Sequence, residues 1–311
     1  MRPYHADPDY YAGRADGLLA SARDGTPEAV ATFERHDAPL TPDGGRAVLA
    51  REHGFAGWPE LLDHLGHMDD DPFVRAYRAL EAHDVDGLRA ELDAHPDLVA
   101  VVGTNGNDLL GMAGATCDER LVAVLLERGA DVHHANVHGW TPLHQAAYSD
   151  LPALARMLLD AGASVEAEAR GSGGTPLVVA LFWGNVTTAE LLAERGVHPS
   201  NLRTAAGLGR LDEIASAEGG ARGFYRPHGG FPDWEPSDDP QEALDEALSW
   251  AARNDRVDAL DALVARGAGV AADVYRGTAL SWAAACGRVA SIRRLAELGA
   301  DVNQRTTFGG P

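Results

Sequence analysis

Apolar residues along most of this chain fall three and four apart in short runs, several of them closed by glycine. The run from Gly139 to Gly162, GWTPLHQAAYSDLPALARMLLDAG, shows the grammar in full. Thr141 can cap an orphan backbone N–H, and Pro142 suits a first helical turn, where its missing N–H costs nothing. Ala146 and Ala147 are small enough for a second helix to pack closely. Leu151-Pro152 turns the chain. Leu154, Met157 and Leu158 then make one apolar stripe, and Gly162 supplies a left-handed residue to end it. The pattern predicts two short antiparallel helices joined by a tight turn.

The same grammar recurs. Gly106 precedes Gly139 by 33 residues, and Leu110, Ala113 and Gly129 precede Leu143, Ala146 and Gly162 by the same step. Thr175, Leu177, Ala180 and Gly196 follow their counterparts by 34. Leu248-Ser249-Trp250-Ala251-Ala252 and Leu280-Ser281-Trp282-Ala283-Ala284 match at 32, as do Gly267 and Gly299. A period of this length marks stacked helix pairs. With its Thr-Pro-Leu-His opening and Leu-Leu…Gly close, the unit resembles an ankyrin repeat. The fold class expected is all-α: an ankyrin-repeat solenoid of stacked antiparallel helix pairs with an N-terminal helical cap.

Residues 1–70 are expected to form that arm and cap. Residues 1–10 are polar and predict a loose arm. Helical spacing runs from Tyr11 to Ala22 and from Gly45 to Phe55, with helix starts at Thr26-Pro27-Glu28 and Trp58-Pro59-Glu60. The stretch AREHGFAGWPELLDHL resembles a helical region that precedes ankyrin repeats in bacterial proteins, so the resemblance is to an ankyrin protein of bacterial type. Residues 71–311 carry about six to seven repeats, beginning with a degenerate one at 71–103. The chain stops at Phe308-Gly309-Gly310-Pro311, where another finger should begin, so an array cut short of its natural end is expected, with a subunit contact over the uncapped face as the alternative.

One stretch breaks the period. Residues 217–243 are rich in Gly, Pro and aromatics, and Leu248 follows Leu202 by 46 residues. Burying each of Phe224, Tyr225, Phe231 and Trp234 is worth about 1.5–3 kcal/mol. That interruption is therefore expected to fold back onto the array near Phe182 and Trp183.

Composition narrows the partners. The 311 residues include 47 acidic and 26 basic ones, all arginine, for a net charge of −21. Such a surface repels phosphate backbones, which argues against nucleic acid, and suits a basic protein partner. No stretch is long and apolar enough for a membrane span. Cys117 and Cys286 are too far apart in repeat order to pair, which fits a reducing, cytoplasmic setting.

Candidate chemistry is thin. The glycine-rich GTNGNDLLG at 103–111 lacks the Lys-Ser/Thr of a phosphate loop, and neither G-x-S-x-G nor C-x-x-C occurs. His64 and His67 share a helix face without a third ligand, and His133 and His134 do not complete a tetrahedral shell, so no metal and no cofactor is expected. His144 matches the family's turn histidine, for which the resemblance implies a structural hydrogen bond. The resemblance also implies a concave recognition surface at Asn105, Asn107, His138, Trp140, Tyr148, Phe182, Trp183, Arg253, Asn254, Tyr275 and Arg276, joined by Tyr225 and Trp234 of the interruption. Two readings stay open. One is a protein-binding module working through these aromatic and arginine anchors. The other is an enzyme or small-molecule receptor whose pocket is roofed by 217–243, with His228, Asp233 and Glu235 as acid or base.

Overall fold

A computed structural model describes residues 3, 5–68, 71–169, 173–216, 239–275 and 277–306, and among them every regular element is helical. No described helix is long and apolar enough to cross a membrane. The chain divides into two compact units, Met1–Pro142 and Leu143–Pro311.

The first unit opens with α1 (Pro8–Arg23), α2 (Pro27–Arg35), α3 (Pro42–Glu52) and α4 (Trp58–Leu65). Two helix pairs follow: α5 (Pro72–Glu81) with α6 (Val85–Ala94), and α7 (Leu109–Ala115) with α8 (Glu119–Glu127). Short polar side chains start these helices. Thr41, Asp84 and Asp108 each accept from the third residue beyond, at 3.1, 2.9 and 2.8 Å. That satisfies one of the N–H groups a helix start leaves orphaned. α1 begins at Pro8, ahead of the expected Tyr11, because Asp7 caps it and proline is preorganised for the first turn. The loose arm expected over 1–10 is shorter for that reason, and His5 stacks on Tyr10 at 4.6 Å.

Tyr11, Ala15, Leu49, Leu61, Leu65 and Met68 form one core, which Val74 of α5 joins. The N-terminal helices thus share buried surface with the first helix pair. Leu19, Ala22, Ala29, Phe33 and Val48 form a second cluster between α1, α2 and α3.

The second unit holds five pairs. They are α9 (Pro142–Tyr148, its proline at the division) with α10 (Pro152–Asp160), α11 (Pro176–Trp183) with α12 (Val186–Glu194), and α13 (Leu202–Leu208) with α14 (Leu211–Ser216). Then come α15 (Pro240–Arg253) with α16 (Val257–Ala265), and α17 (Ala279–Ala285) with α18 (Val289–Glu297). A continuous core runs from Leu202 and Ala206 through Leu248 and Leu260 to Leu280 and Leu295.

Neighbouring repeats are tied by a recurring carboxylate. Asp150 accepts from the backbone N–H and the hydroxyl of Thr188, both at 2.9 Å. Asp255 does the same for Ser291, again at 2.9 Å. Both aspartates sit in left-handed turns, at φ 50° and 58°, a conformation that Asp tolerates better than most residues. Each places a negative charge on the first turn of α12 or α18, where the helix dipole favours it.

The expected interruption ends too late at its C-terminal side. Residues 240–243 belong to the first turn of α15, because Asp239 accepts from Gln241 N–H at 2.9 Å and Pro240 starts the helix. Residues 217–238 lie outside the described residues.

Leu143 and Leu158 are fully buried, as is Ala146. Leu143→Ala is therefore expected to lower stability by about 2–5 kcal/mol through lost transfer energy and the cavity left behind. Chemical denaturation followed by circular dichroism measures this; an unshifted midpoint would mean that α9 does not share the core.

Candidate functional site

In the first unit, Asn105, Asn107, His138 and Trp140 lie on two successive fingers, the loops that precede α7 and α9. An asparagine ladder holds them. Asn136 donates from its side-chain amide to Asn107 Oδ1 at 3.1 Å, and its own Oδ1 accepts from the N–H groups of His138 and Trp140 at 2.9 and 3.1 Å. Val137 N–H donates to the Asn105 carbonyl at 2.9 Å, and Arg14 of α1 reaches the Asn105 side chain. His134 bridges to the Gly106 carbonyl at 2.7 Å. His138 is exposed and Trp140 half-buried. Asn136, which organises the pair, is invisible to repeat counting; its signal is an Asn two residues before His138, the spacing of an Asx turn.

In the second unit, Tyr148 and Trp183 meet at the C-terminal ends of α9 and α11. Their rings stand perpendicular with centroids 5.4 Å apart, and Tyr148 is 36% exposed. Asn185, just after α11, donates to the carbonyls of Ala147 and Tyr148 at 2.9 and 2.7 Å. The pair is held by backbone as well as by ring contact.

Phe182, Arg253, Asn254 and Tyr275 are not where the family pattern puts them. All four are buried, with Arg253 only 2% exposed, so the expected surface position is corrected. The cause lies at the end of α11. A helix leaves its last carbonyls without intrahelical donors. Here Asn254 Nδ2 donates to Leu181 O at 2.8 Å and Arg253 Nη1 to Phe182 O at 2.8 Å. The Cys286 thiol lies 3.7 Å from Trp183 O, and Arg288 reaches Gly184 O. These side chains cap a helix and cannot also face solvent.

Around Arg253 the rings form a cage. Its guanidinium carbon lies 3.9 Å from the centre of the Trp282 ring, 4.7 Å from Phe182 and 5.7 Å from Trp250. Ser249 accepts twice, at Oγ (2.9 Å) and at its carbonyl (3.4 Å). Burial pushes the guanidinium pKa down to about 10, which still leaves it charged at neutral pH. A second buried arginine, Arg203, pairs with Glu246 at 3.1 Å and stacks 5.0 Å from Trp250. Trp250, Trp282, Ser249 and Gly184 belong to this constellation; in the sequence the first three stand only as markers of the repeat, not as surface candidates.

His144 is fully buried, with Nε2 2.9 Å from the Gly174 carbonyl of the following finger. The His64 ring lies tilted against Phe55 with centroids 5.0 Å apart, and the His67 ring nitrogen lies 2.8 Å from Asp63 O. No group of three or more His, Cys, Asp or Glu among the described residues is placed to hold a metal. Tyr225, His228, Asp233, Trp234, Glu235 and Arg276 lie outside the described residues.

Stacked helix pairs with projecting fingers define a repeat scaffold, and comparison agrees. A family model for ankyrin repeats, in three copies, matches residues 109–202 and 233–306. That is more than half of the chain, and the chain belongs to the ankyrin-repeat family. Human ankyrin repeat and KH domain-containing protein 1 is 38% identical over 100 residues, which is 32% of this chain and 4% of that protein. Mouse protein phosphatase 1 regulatory subunit 27 is 42% identical over 132 residues, 42% of this chain and 75% of that protein. The chain therefore spans a small part of the human relative and three quarters of the mouse one. The human ASB11 ankyrin repeat domain aligns over 76% of this chain and 88% of its own, at 24% identity and a TM-score of 0.43. The expected bacterial type is corrected by these relatives, since the curated matches are human, rat, fly and mouse proteins.

Burial pushes the His144 pKa down from 6.5 to about 4, against backbone hydrogen bonds at Gly174 and Ala167 that act in the opposite sense. The unfolded chain then binds a proton in this window that the folded chain refuses. Stability from this group is complete above pH 6.5 and falls as pH drops toward 4, by up to ~3 kcal/mol. Denaturation midpoints between pH 7.5 and 4.5 should fall more steeply for the native chain than for His144→Gln. Parallel slopes would place the acid sensitivity elsewhere.

Proposed function

We infer that this chain is a protein-binding module whose second unit engages its partner through the Tyr148–Trp183 edge. The observation that carries the reading is the rigid, partly exposed aromatic pair at the ends of α9 and α11, backed by Asn185. Aromatic residues held in one rotamer lose little entropy on binding, and they are the usual anchors of interfaces. A relative whose name makes it a regulatory subunit supports a chain that acts by binding. The net charge of −21 favours a partner segment rich in Arg or Lys, steered in by long-range attraction. The absence of any described helix able to cross a membrane is compatible with the cytoplasm, where we place it.

The test compares proteins retained by the immobilised native chain and by a Tyr148→Ala/Trp183→Ala double variant. The variant is expected to fold with an unchanged circular dichroism spectrum. It should retain a specific partner at least ~10-fold less well, since anchor truncations cost about 2 kcal/mol or more. Raising salt should slow association by the native chain. Equal retention by a folded variant would overturn this surface as the interface.

A further inference from the structure

The buried end of the aromatic cluster has the form of a binding site with its ligand in place. Phe182, Trp250 and Trp282 come from three different repeats. They surround one planar cation, whose faces lie against rings while its edges donate to Phe182 O and Ser249 Oγ. This division of labour suits a guanidinium and not an ammonium, because only the planar group offers flat faces and N–H edges together. All three of the Arg253 hydrogen bonds go to neutral oxygens. Compensation for the buried charge therefore comes from ring quadrupoles, from the negative end of the α11 dipole at Phe182, and from Glu246 at longer range. A buried cation held in this way costs desolvation that an apolar side chain would not, so stability alone does not explain an arginine here.

We propose that the second unit contains a guanidinium-binding cage, formed by Phe182, Trp250, Trp282 and Ser249, which its own Arg253 occupies as an internal ligand. Occupied from within, the cage clamps the end of α11 to α15 and α17. Emptied of Arg253, it takes the guanidinium of an arginine-like ligand from solution. The cage is independent of Tyr148 and Trp183 as partner anchors, so either can fail without the other.

Arg253→Ala keeps Cβ and removes the atoms that ethylguanidinium supplies. The variant is expected to melt below the native chain. Millimolar ethylguanidinium should raise its Tm by about 2–4 °C and change its tryptophan emission, while leaving the native chain unmoved. Propylammonium, a cation of similar length without the planar fork, should do neither, and Arg253→Lys should melt below the native chain although it keeps the charge. A variant as stable as the native chain, or a folded variant that ignores ethylguanidinium or responds equally to propylammonium, overturns the cage. Should Arg253→Ala fail to fold even with ethylguanidinium, Trp282→Ala decides. Removing that wall should speed amide exchange at Gly184 and Asn185 about 10-fold relative to α9, and unchanged exchange there overturns the proposal.

Discussion

The second unit depends on how the carbonyls at the C-terminal end of α11 are satisfied. The Leu181, Phe182, Trp183 and Gly184 oxygens lie at the end of the helix ladder, and each gains a side-chain partner from two later repeats: Asn254, Arg253, Cys286 and Arg288. Repeats in a solenoid touch mainly their immediate neighbours. Here the fourth helix pair is bonded to the sixth and seventh, past the short α13 between them. Small residues allow the approach. A Cβ at Gly184 would lie 2.6 Å from the Arg253 carbonyl, and one at Gly207 of α13 would crowd Leu181 at 3.2 Å. Gly184 also takes φ 72°, which other residues rarely adopt, so two independent constraints meet at that position.

Charge is arranged along the same lines. Asp150 and Asp255 sit at the starts of α12 and α18, and Arg253 and Arg288 at the end of α11. Carboxylates at N-termini and guanidiniums at C-termini both complement the helix dipole. Each does so across a repeat boundary, so the charges that cap helices also join repeats. In a chain with no lysine, the cation in these roles is arginine, whose fork can reach two oxygens at once. Arg288 shows this directly, donating to the Arg253 carbonyl at 3.0 Å while reaching Gly184 O.

What could be read without coordinates was local. Thr141-Pro142, the paired alanines and Gly162 are cues acting within a few residues, and they placed α9 and α10 well. Asp239-Pro240 is a cue of the same kind, but it follows the Gly, Pro and aromatic run without a break in composition, and α15 begins there, ahead of the expected boundary at 243. The surface residues were legible only as far as the groove was open. Tyr148 and Arg253 each follow a pair of alanines at the end of a first helix, and the repeat pattern treats them alike. One is exposed and the other 2% exposed. The difference is whether a later repeat arrives opposite, which no local cue encodes.

That difference has a physical consequence for how the array recognises anything. An exposed aromatic such as Tyr148 keeps its contact energy for a partner, whereas Phe182 and Trp250 have already committed theirs to the fold. Aromatic content summed over repeats therefore overstates the recognition surface. The better measure is which rings lie before the point where α11 meets α15 and α17. Trp183 sits at that boundary, edge-on to exposed Tyr148 at 5.4 Å and to buried Phe182 at 5.2 Å. Phe182 is buried and Trp183 beside it is half-buried, so adjacent residues at one helix end serve the fold and the surface respectively.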